Sequence, residues 1–136
     1  MKVFITYASK DEALAGKLAA SLEEAGLDAW YDKREILPGD NWAEKISQGL
    51  KESKAMVVLV TPTALESDTV QRNISYALGD ESFSNRLIPV IIGDSDDLPQ
   101  DRLPWIFKRL KTITVSNREK ETEQFKKVAE AIKAAA

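Results

Sequence analysis

Cysteine and histidine are both absent from the 136-residue chain. Their absence excludes disulfides, Cys-His metal sites, thiolate nucleophiles and imidazole general bases. Any catalysis must therefore rest on carboxylates, hydroxyls, lysine, arginine or a bound cofactor. For this chain we expect neither a metal site nor a resident cofactor. The lack of disulfides also agrees with a cytoplasmic location, which we expect for this chain.

A large excess of one charge and long apolar runs are missing as well. The net charge is -3 and the pI is about 5.1, with acidic and basic residues interleaved along the chain. A nucleic-acid-binding domain of this size usually has a basic face, so we expect no nucleic-acid partner. No run approaches the roughly 18 apolar residues that a membrane-spanning helix needs, and we expect no membrane contact.

Short apolar segments alternate with longer amphipathic segments along the whole chain. The predicted strands are Lys2–Tyr7, Leu27–Asp32, Lys54–Pro62, Arg86–Asp94 and Lys111–Val115. The predicted helices are Asp11–Ala25, a segment from Asp40 or Asn41 through Leu50, Ser67–Asp80 and Glu119–Ala135. The alternation predicts one α/β domain with a flavodoxin-like open parallel sheet of five strands, order 2-1-3-4-5, and helices on both faces.

The segment "SDTVQRNISYALGD", Ser67 to Asp80, contains an unexpected residue on its inner face. Apolar residues recur at helical spacing and predict a buried stripe formed by Val70, Ile74, Ala77 and Leu78. Asn73 lies within that stripe, although a neutral amide favours neither helix formation nor apolar packing. The position therefore calls for a functional explanation.

Open parallel sheets bind ligands beyond the carboxyl ends of their strands, where the strand order reverses. In this chain that crevice would be formed by the ends of the first two strands, the loop 33–40 and the start of the helix after the third strand. The candidate lining residues are Tyr7, Ala8, Ser9, Asp32, Leu37, Trp42, Thr69 and Asn73. Some of these residues also have a purely structural interpretation. Asp32 would then cap the following loop, and Trp42 would pack in the core beneath the second helix. Ser9 and Asp11 would mark the start of the first helix, as its N-cap and as an acid in its first turn.

Three familiar uses of such a crevice are excluded by inspection. The segment "TYASKDE" after the first strand has no glycines, so the dinucleotide fingerprint and the P-loop are both absent. A phosphoacceptor domain needs an aspartate at the end of the third strand. This chain reads "VLVTPT" there, without an acidic residue, so a phosphoacceptor domain is excluded as well.

The order and spacing of several short motifs resemble those of a bacterial-type Toll/interleukin-1 receptor (TIR) domain. They are "FITYAS", G-x-x-x-W-Y-D, I-L-P-G-D-x-W, S-x-x-x-V-V-L-V-T-P and V-x-x-x-I-x-Y-A-L. The resemblance covers nearly the whole chain and identifies residues 1–136 as a single TIR domain. Such domains often belong to longer chains, and the closing "AAA" is compatible with an excised boundary.

The resemblance implies a flavodoxin-like fold and one of two kinds of function. Some TIR domains assemble with other TIR domains, and the loop matching Ile36, Leu37, Pro38, Gly39 and Asp40 then mediates contacts and gates the cleft. Others cleave the nicotinamide–ribose bond of NAD+ in bacterial defence or signalling, so NAD+ or a related nucleotide is an expected substrate or ligand. In these enzymes a glutamate contacts the ribose, and an aromatic residue one turn earlier often stacks on nicotinamide.

The family pattern W-V-x-x-E-I-x-x-A-L corresponds here to "TVQRNISYAL". Asn73 therefore occupies the position of the catalytic glutamate, Thr69 that of the aromatic residue, and Glu66 lies about two turns too early to substitute. Asn73 is either a natural departure or a deliberate inactivating exchange. Three hypotheses remain: an NAD+-cleaving domain that is attenuated or inactive, a non-enzymatic assembly module, and a nucleotide-binding sensor.

Overall fold

A five-stranded, all-parallel sheet forms the centre of the protein. The computed structural model describes residues 1–80, 83, 86–93, 107, 109–115 and 121–135. The strands are β1 Lys2–Thr6, β2 Asp28–Trp30, β3 Ala55–Val60, β4 Leu87–Ile92 and β5 Ile113–Val115. Their order is β2-β1-β3-β4-β5, and every neighbouring pair is parallel. The predicted strand order, edge position of β5 and fold class are therefore confirmed.

Six α-helices connect or flank these strands in the described part of the chain. They are α1 Glu12–Glu24, α2 Asp32–Glu35, α3 Trp42–Glu52, α4 Pro62–Glu66, α5 Asp68–Leu78 and α6 Glu121–Ala135. Local capping sets several starts: the side chain of Asn41 accepts from the Glu44 amide at 3.1 Å, and that of Ser67 accepts from the Val70 amide at 3.3 Å. The short helices α2 and α4 were not predicted.

Helices cover both faces of the sheet and bury two apolar layers. One layer includes Leu14, Leu18 and Leu22 of α1 and Phe125, Val128 and Ile132 of α6, packed against alternate residues of the strands. The opposite layer includes Leu50, Val70, Ile74 and Ala77. Every residue of β3 is buried because helices lie on both sides of it, as its unbroken apolar run predicts.

Leu78, for which burial was predicted, and Trp42, for which core packing was one of two interpretations, are both exposed. Leu78 is 49% exposed, because it lies about a quarter turn from the middle of the buried stripe formed by Val70, Asn73, Ile74 and Ala77. Trp42 is 46% exposed, because it is the first residue of α3 and lies beyond the buried turn at Gly49 and Leu50. The prediction that Trp42 packs in the core is therefore wrong. The apolar segment "LPWIF" predicts that Trp105 is a hydrophobic anchor, and this residue lies outside the described residues.

Gly49 allows α3 to approach the sheet closely. A Cβ atom at this position would lie 2.6 Å from Cε2 of Trp30. The Trp30 indole is itself stacked on Phe4, with ring centroids 4.7 Å apart and an interplanar angle of 13°. Both rings are nearly fully buried, so the absence of a side chain at Gly49 is what lets the helix rest on them.

Candidate functional site

Four of the predicted crevice residues come together at the carboxyl edge of the sheet. Tyr7 follows β1, Asp32 follows β2, and Thr69 and Asn73 lie on α5. They line an inner cavity of about 20 Å³, together with Phe4, Ile5, Thr6, Trp30 and Ile46. A space of this size holds about one water molecule. The inner end of the crevice is therefore too small to hold a sugar in this structure.

Asn73 is buried, with 6% of its surface exposed. Its Nδ2 atom donates a hydrogen bond to Oγ1 of Thr6 at 3.0 Å. This bond joins α5 to the end of β1 and explains how a polar amide is accommodated on the inner stripe of the helix. Thr6 was not among the predicted site residues, because nothing local in "FITYAS" distinguishes its hydroxyl from an ordinary strand residue.

Asp32 and Tyr7 form a second polar pair at the crevice. The Tyr7 hydroxyl donates to Oδ1 of Asp32, and the Lys33 amide donates to the same oxygen at 2.8 Å. Burial, followed by the hydrogen bond to Asp32, raises the pKa of the Tyr7 phenol well above its usual range. Tyr7 therefore stays neutral and acts as a hydrogen-bond donor, while Asp32 both caps the loop and faces the cavity.

An outer pocket of about 160 Å³ opens beside the inner cavity. Its described lining residues are Asp32, Lys33, Ile36 and Trp42. Trp42, exposed at the start of α3, thus forms part of the wall of this pocket. Asp32 lines both the inner cavity and the outer pocket.

The loop 36–40 begins at Ile36 in the wall of the outer pocket and continues as a tight turn over residues 37–40. The Asp40 amide donates to the Leu37 carbonyl at 3.0 Å, and the Leu37 amide donates to Oδ2 of Asp40 at 2.9 Å. Gly39 has a φ of 92°, which glycine adopts without strain, and Pro38 favours the preceding turn position. Leu37, the first residue of this turn, has 62% of its surface exposed.

Arg34 attaches the start of this loop segment to the body of the domain. Its guanidinium lies 5.0 Å from the Tyr31 ring centroid and contacts Glu23 of α1 at 2.9 Å. It also donates to the Ala29 carbonyl in β2. The loop therefore starts from a fixed base, although its tip is exposed.

Three predicted residues do not line either space. Leu37 is exposed at the first position of the turn, Ala8 is buried, and Ser9 lies in an exposed 3-10 turn. Asp11 does not cap α1 with its side chain. Instead, its Oδ2 atom accepts a hydrogen bond from Oγ1 of Thr61 at 2.8 Å, which ties the segment after β1 to the end of β3.

Two larger depressions lie elsewhere on the described surface. They measure about 560 Å³ on α3 and about 330 Å³ between α1 and α6, and they share no lining residue with the two spaces at the strand ends. Across the described ranges, no group of three or more acidic side chains could hold a metal ion. None of the helices in the described part is long and apolar enough to cross a bilayer.

Comparison with curated proteins finds several bacterial relatives. The 2' cyclic ADP-D-ribose synthase AbTIR of Acinetobacter baumannii is 29% identical over 87 residues, covering 63% of this chain and 32% of that protein. The synthase BtTIR of Bacteroides thetaiotaomicron is 27% identical over 86 residues, covering 62% and 30%. The NAD(+) hydrolase PdTIR of Paracoccus denitrificans is 29% identical over 90 residues, covering 65% and 30%. The chain thus matches only about a third of each relative's length.

Solved structures and a family model agree on the fold. The TIR domain of the Toll-related receptor TRR-2 of Hydra magnipapillata superposes with a TM-score of 0.72 at 20% identity, covering 96% of this chain and 97% of that one. A TIR-STING receptor from C. gigas gives 0.73 at 22% identity, covering 93% and 38%. At these identities the likeness shows the fold alone. The family model described as TIR domain matches residues 3–129, and the chain therefore belongs to the TIR domain family.

Proposed function

We propose that this protein is a TIR domain of the NAD+-cleaving type, in bacterial defence or signalling, whose crevice binds NAD+ or a related nucleotide but cleaves it weakly or not at all. The observation that carries the proposal is Asn73, a neutral amide buried at the crevice and bonded to Thr6. The names of the bacterial relatives, which are NAD+ hydrolases and cyclic ADP-ribose synthases, support the choice of nucleotide.

The chemistry of nicotinamide release explains why this position matters. Departure of neutral nicotinamide leaves an oxocarbenium-like positive charge on the ribose. A carboxylate held about 4 Å away, at an effective dielectric constant near 20, stabilises that charge by about 4 kcal/mol. This corresponds to a rate difference on the order of a thousandfold. The Asn73 amide can hydrogen-bond a hydroxyl but supplies no charge.

The narrow crevice adds a second barrier to cleavage. The inner cavity of about 20 Å³ has no room for a ribose, so its walls must move apart before a sugar enters. A movement of α5 away from β1 would break the bond between Asn73 and Thr6, which contributes about 1 kcal/mol. Nucleotide binding is therefore coupled to opening of the crevice.

Nicotinamide release measured after Asn73→Glu tests the proposal. We expect the carboxylate to raise the rate on the order of a hundredfold or more above that of the unaltered chain. The matched control is Ser75→Glu, which adds the same charge on the exposed face of α5 and should leave the rate unchanged. If Asn73→Glu releases no nicotinamide even at high protein concentration, the NAD+-cleaving assignment is wrong.

Self-assembly is a second candidate function, favoured by the turn at the loop 36–40. Leu37 is 62% exposed, and the hydrogen bonds between Leu37 and Asp40 hold the turn in one shape. An exposed apolar side chain on a preorganised turn binds a partner at a low entropic cost. In this alternative the domain acts by docking on other TIR domains, and the crevice contributes no chemistry.

Light scattering with Leu37→Asp tests the second candidate. Association with copies of this chain should be lost, while the circular dichroism spectrum stays that of the folded domain. Leu78→Asp serves as the control, because Leu78 is an equally unpartnered exposed leucine on α5 with 49% of its surface accessible. Equal association of the two variants would remove the turn as the assembly surface.

A further inference from the structure

Asp32 is the one carboxylate among the described residues that line the two spaces at the strand ends. It is part of the inner cavity beside Asn73 and part of the outer pocket beside Trp42. A ligand that fills both spaces contacts this side chain. Because Asn73 is neutral, Asp32 also supplies the negative charge that these walls bring to such a ligand.

The two oxygens of the Asp32 carboxylate have different surroundings. Oδ1 accepts hydrogen bonds from the Tyr7 hydroxyl and from the Lys33 amide. Oδ2 has no hydrogen-bond partner among the residues that the structure describes. Two donors on one oxygen fix the rotation of the carboxylate, so the second oxygen is held in place and free to accept from a ligand.

We propose that Asp32 is the anchor for the sugar of the bound nucleotide, with Oδ2 accepting a hydrogen bond from a ribose hydroxyl and Tyr7 acting as a positioning residue. This inference rests on the proposed function, since it names a group that holds the nucleotide in the same crevice. A hydroxyl donating to a carboxylate forms a charge-assisted bond, stronger than the bond that a neutral amide would make. The Trp42 indole in the outer pocket offers an apolar face for the base.

Asp32→Asn separates this binding role from the structural role of the residue. The amide oxygen of asparagine can still accept from the Tyr7 hydroxyl and the Lys33 amide, so the loop and the fold should persist. The position of Oδ2 becomes an NH2 group, which cannot accept from a ribose hydroxyl, and the charge is lost. Thermal melting checks that the variant folds.

Calorimetric titration with ADP-ribose and with NAD+ provides the test. We expect Asp32→Asn to weaken binding at least tenfold, whereas Asp28→Asn, which removes an exposed carboxylate at the opposite end of β2, should leave it unchanged. Equal affinity of Asp32→Asn and the unaltered chain overturns the anchor but leaves the proposed function standing. Equal weakening by both variants also overturns it, because the effect is then one of overall charge. Absence of binding by the unaltered chain at millimolar ligand overturns both proposals.

The role of Tyr7 is tested by a double-mutant cycle in the same titration. Tyr7→Phe should weaken binding in the unaltered background, because the carboxylate loses one of the two donors that fix it. In the Asp32→Asn background the same change should have little further effect. If Tyr7→Phe weakens binding equally in the unaltered chain and in Asp32→Asn, Tyr7 has a general structural role and does not act through Asp32.

Discussion

Replacement of Gly49 by alanine tests how closely α3 is packed against the wall of the crevice. The added Cβ would lie 2.6 Å from Cε2 of Trp30 and 2.9 Å from both Cδ2 and Cζ2 of the same ring. These are ring atoms held against Phe4, so the contact cannot be relieved by turning the end of a flexible side chain. Either the helix or the indole must shift.

The expected loss follows from two opposing terms. Overpacking of a well-packed core costs about 1–3 kcal/mol, and the better helix propensity of alanine returns up to about 1 kcal/mol. The net effect of Gly49→Ala is a loss of about 1–2 kcal/mol in the free energy of unfolding. The Trp30 ring also lines the inner cavity, so a shift of this ring changes the shape of the crevice.

Urea unfolding measures this loss against a matched control. Gly16→Ala makes the same substitution inside α1, where the nearest atom to the new Cβ is the Tyr31 hydroxyl at 3.7 Å. The control should be stabilised by about 0.5–1 kcal/mol, the ordinary gain from replacing a helical glycine. If Gly49→Ala is as stable as Gly16→Ala, the close approach of α3 and Trp30 described above is wrong.

Three further changes have defined outcomes. Thr6→Val removes the acceptor for the buried Asn73 amide and should lower the free energy of unfolding by about 1–3 kcal/mol. An unchanged unfolding midpoint in urea would show that this hydrogen bond contributes nothing to stability. The raised pKa of Tyr7, caused by burial and by Asp32, means that the folded state binds the phenol proton more tightly than the unfolded state. The contribution of the Tyr7 phenol to the free energy of unfolding is therefore complete below pH 10, the ordinary phenol pKa, and falls as the pH rises above it. The unaltered chain should accordingly lose more stability between pH 9 and pH 11 than Tyr7→Phe does. Equal losses in the two proteins would contradict this. Leu78→Gln should change the free energy of unfolding by less than about 0.5 kcal/mol, because Leu78 is 49% exposed, and a larger thermal shift would indicate a hidden contact.

The parallel sheet and its strand order were predictable because each strand is a compact apolar run between turn signals. β3, with the sequence AMVVLV, is buried throughout, and such a run has few alternatives to a central strand. Helices α1, α3, α5 and α6 follow from apolar spacing over three or more turns. The short helices α2 and α4 contain only four and five residues, too few for a helical period to be detected.

The site was only partly predictable, because its geometry depends on contacts between distant segments. The crevice residues could be proposed from strand ends alone, but the bond between Thr6 and Asn73 joins residues 67 positions apart. Burial of Leu78 was mispredicted for a related reason: apolar spacing gives the direction of a side chain but does not show how wide the buried stripe of α5 is. The small volume of the inner cavity likewise depends on how far α5 lies from β1.

The most direct test of the central claim is the steady-state rate of nicotinamide release from NAD+ by the unaltered chain, at a protein concentration that permits assembly. A neutral amide at the sugar and a crevice with room for about one water molecule predict slow or undetectable release. Asn73→Glu measured alongside should release nicotinamide faster. Rapid turnover by the unaltered chain, matching or exceeding that of Asn73→Glu, would contradict the account.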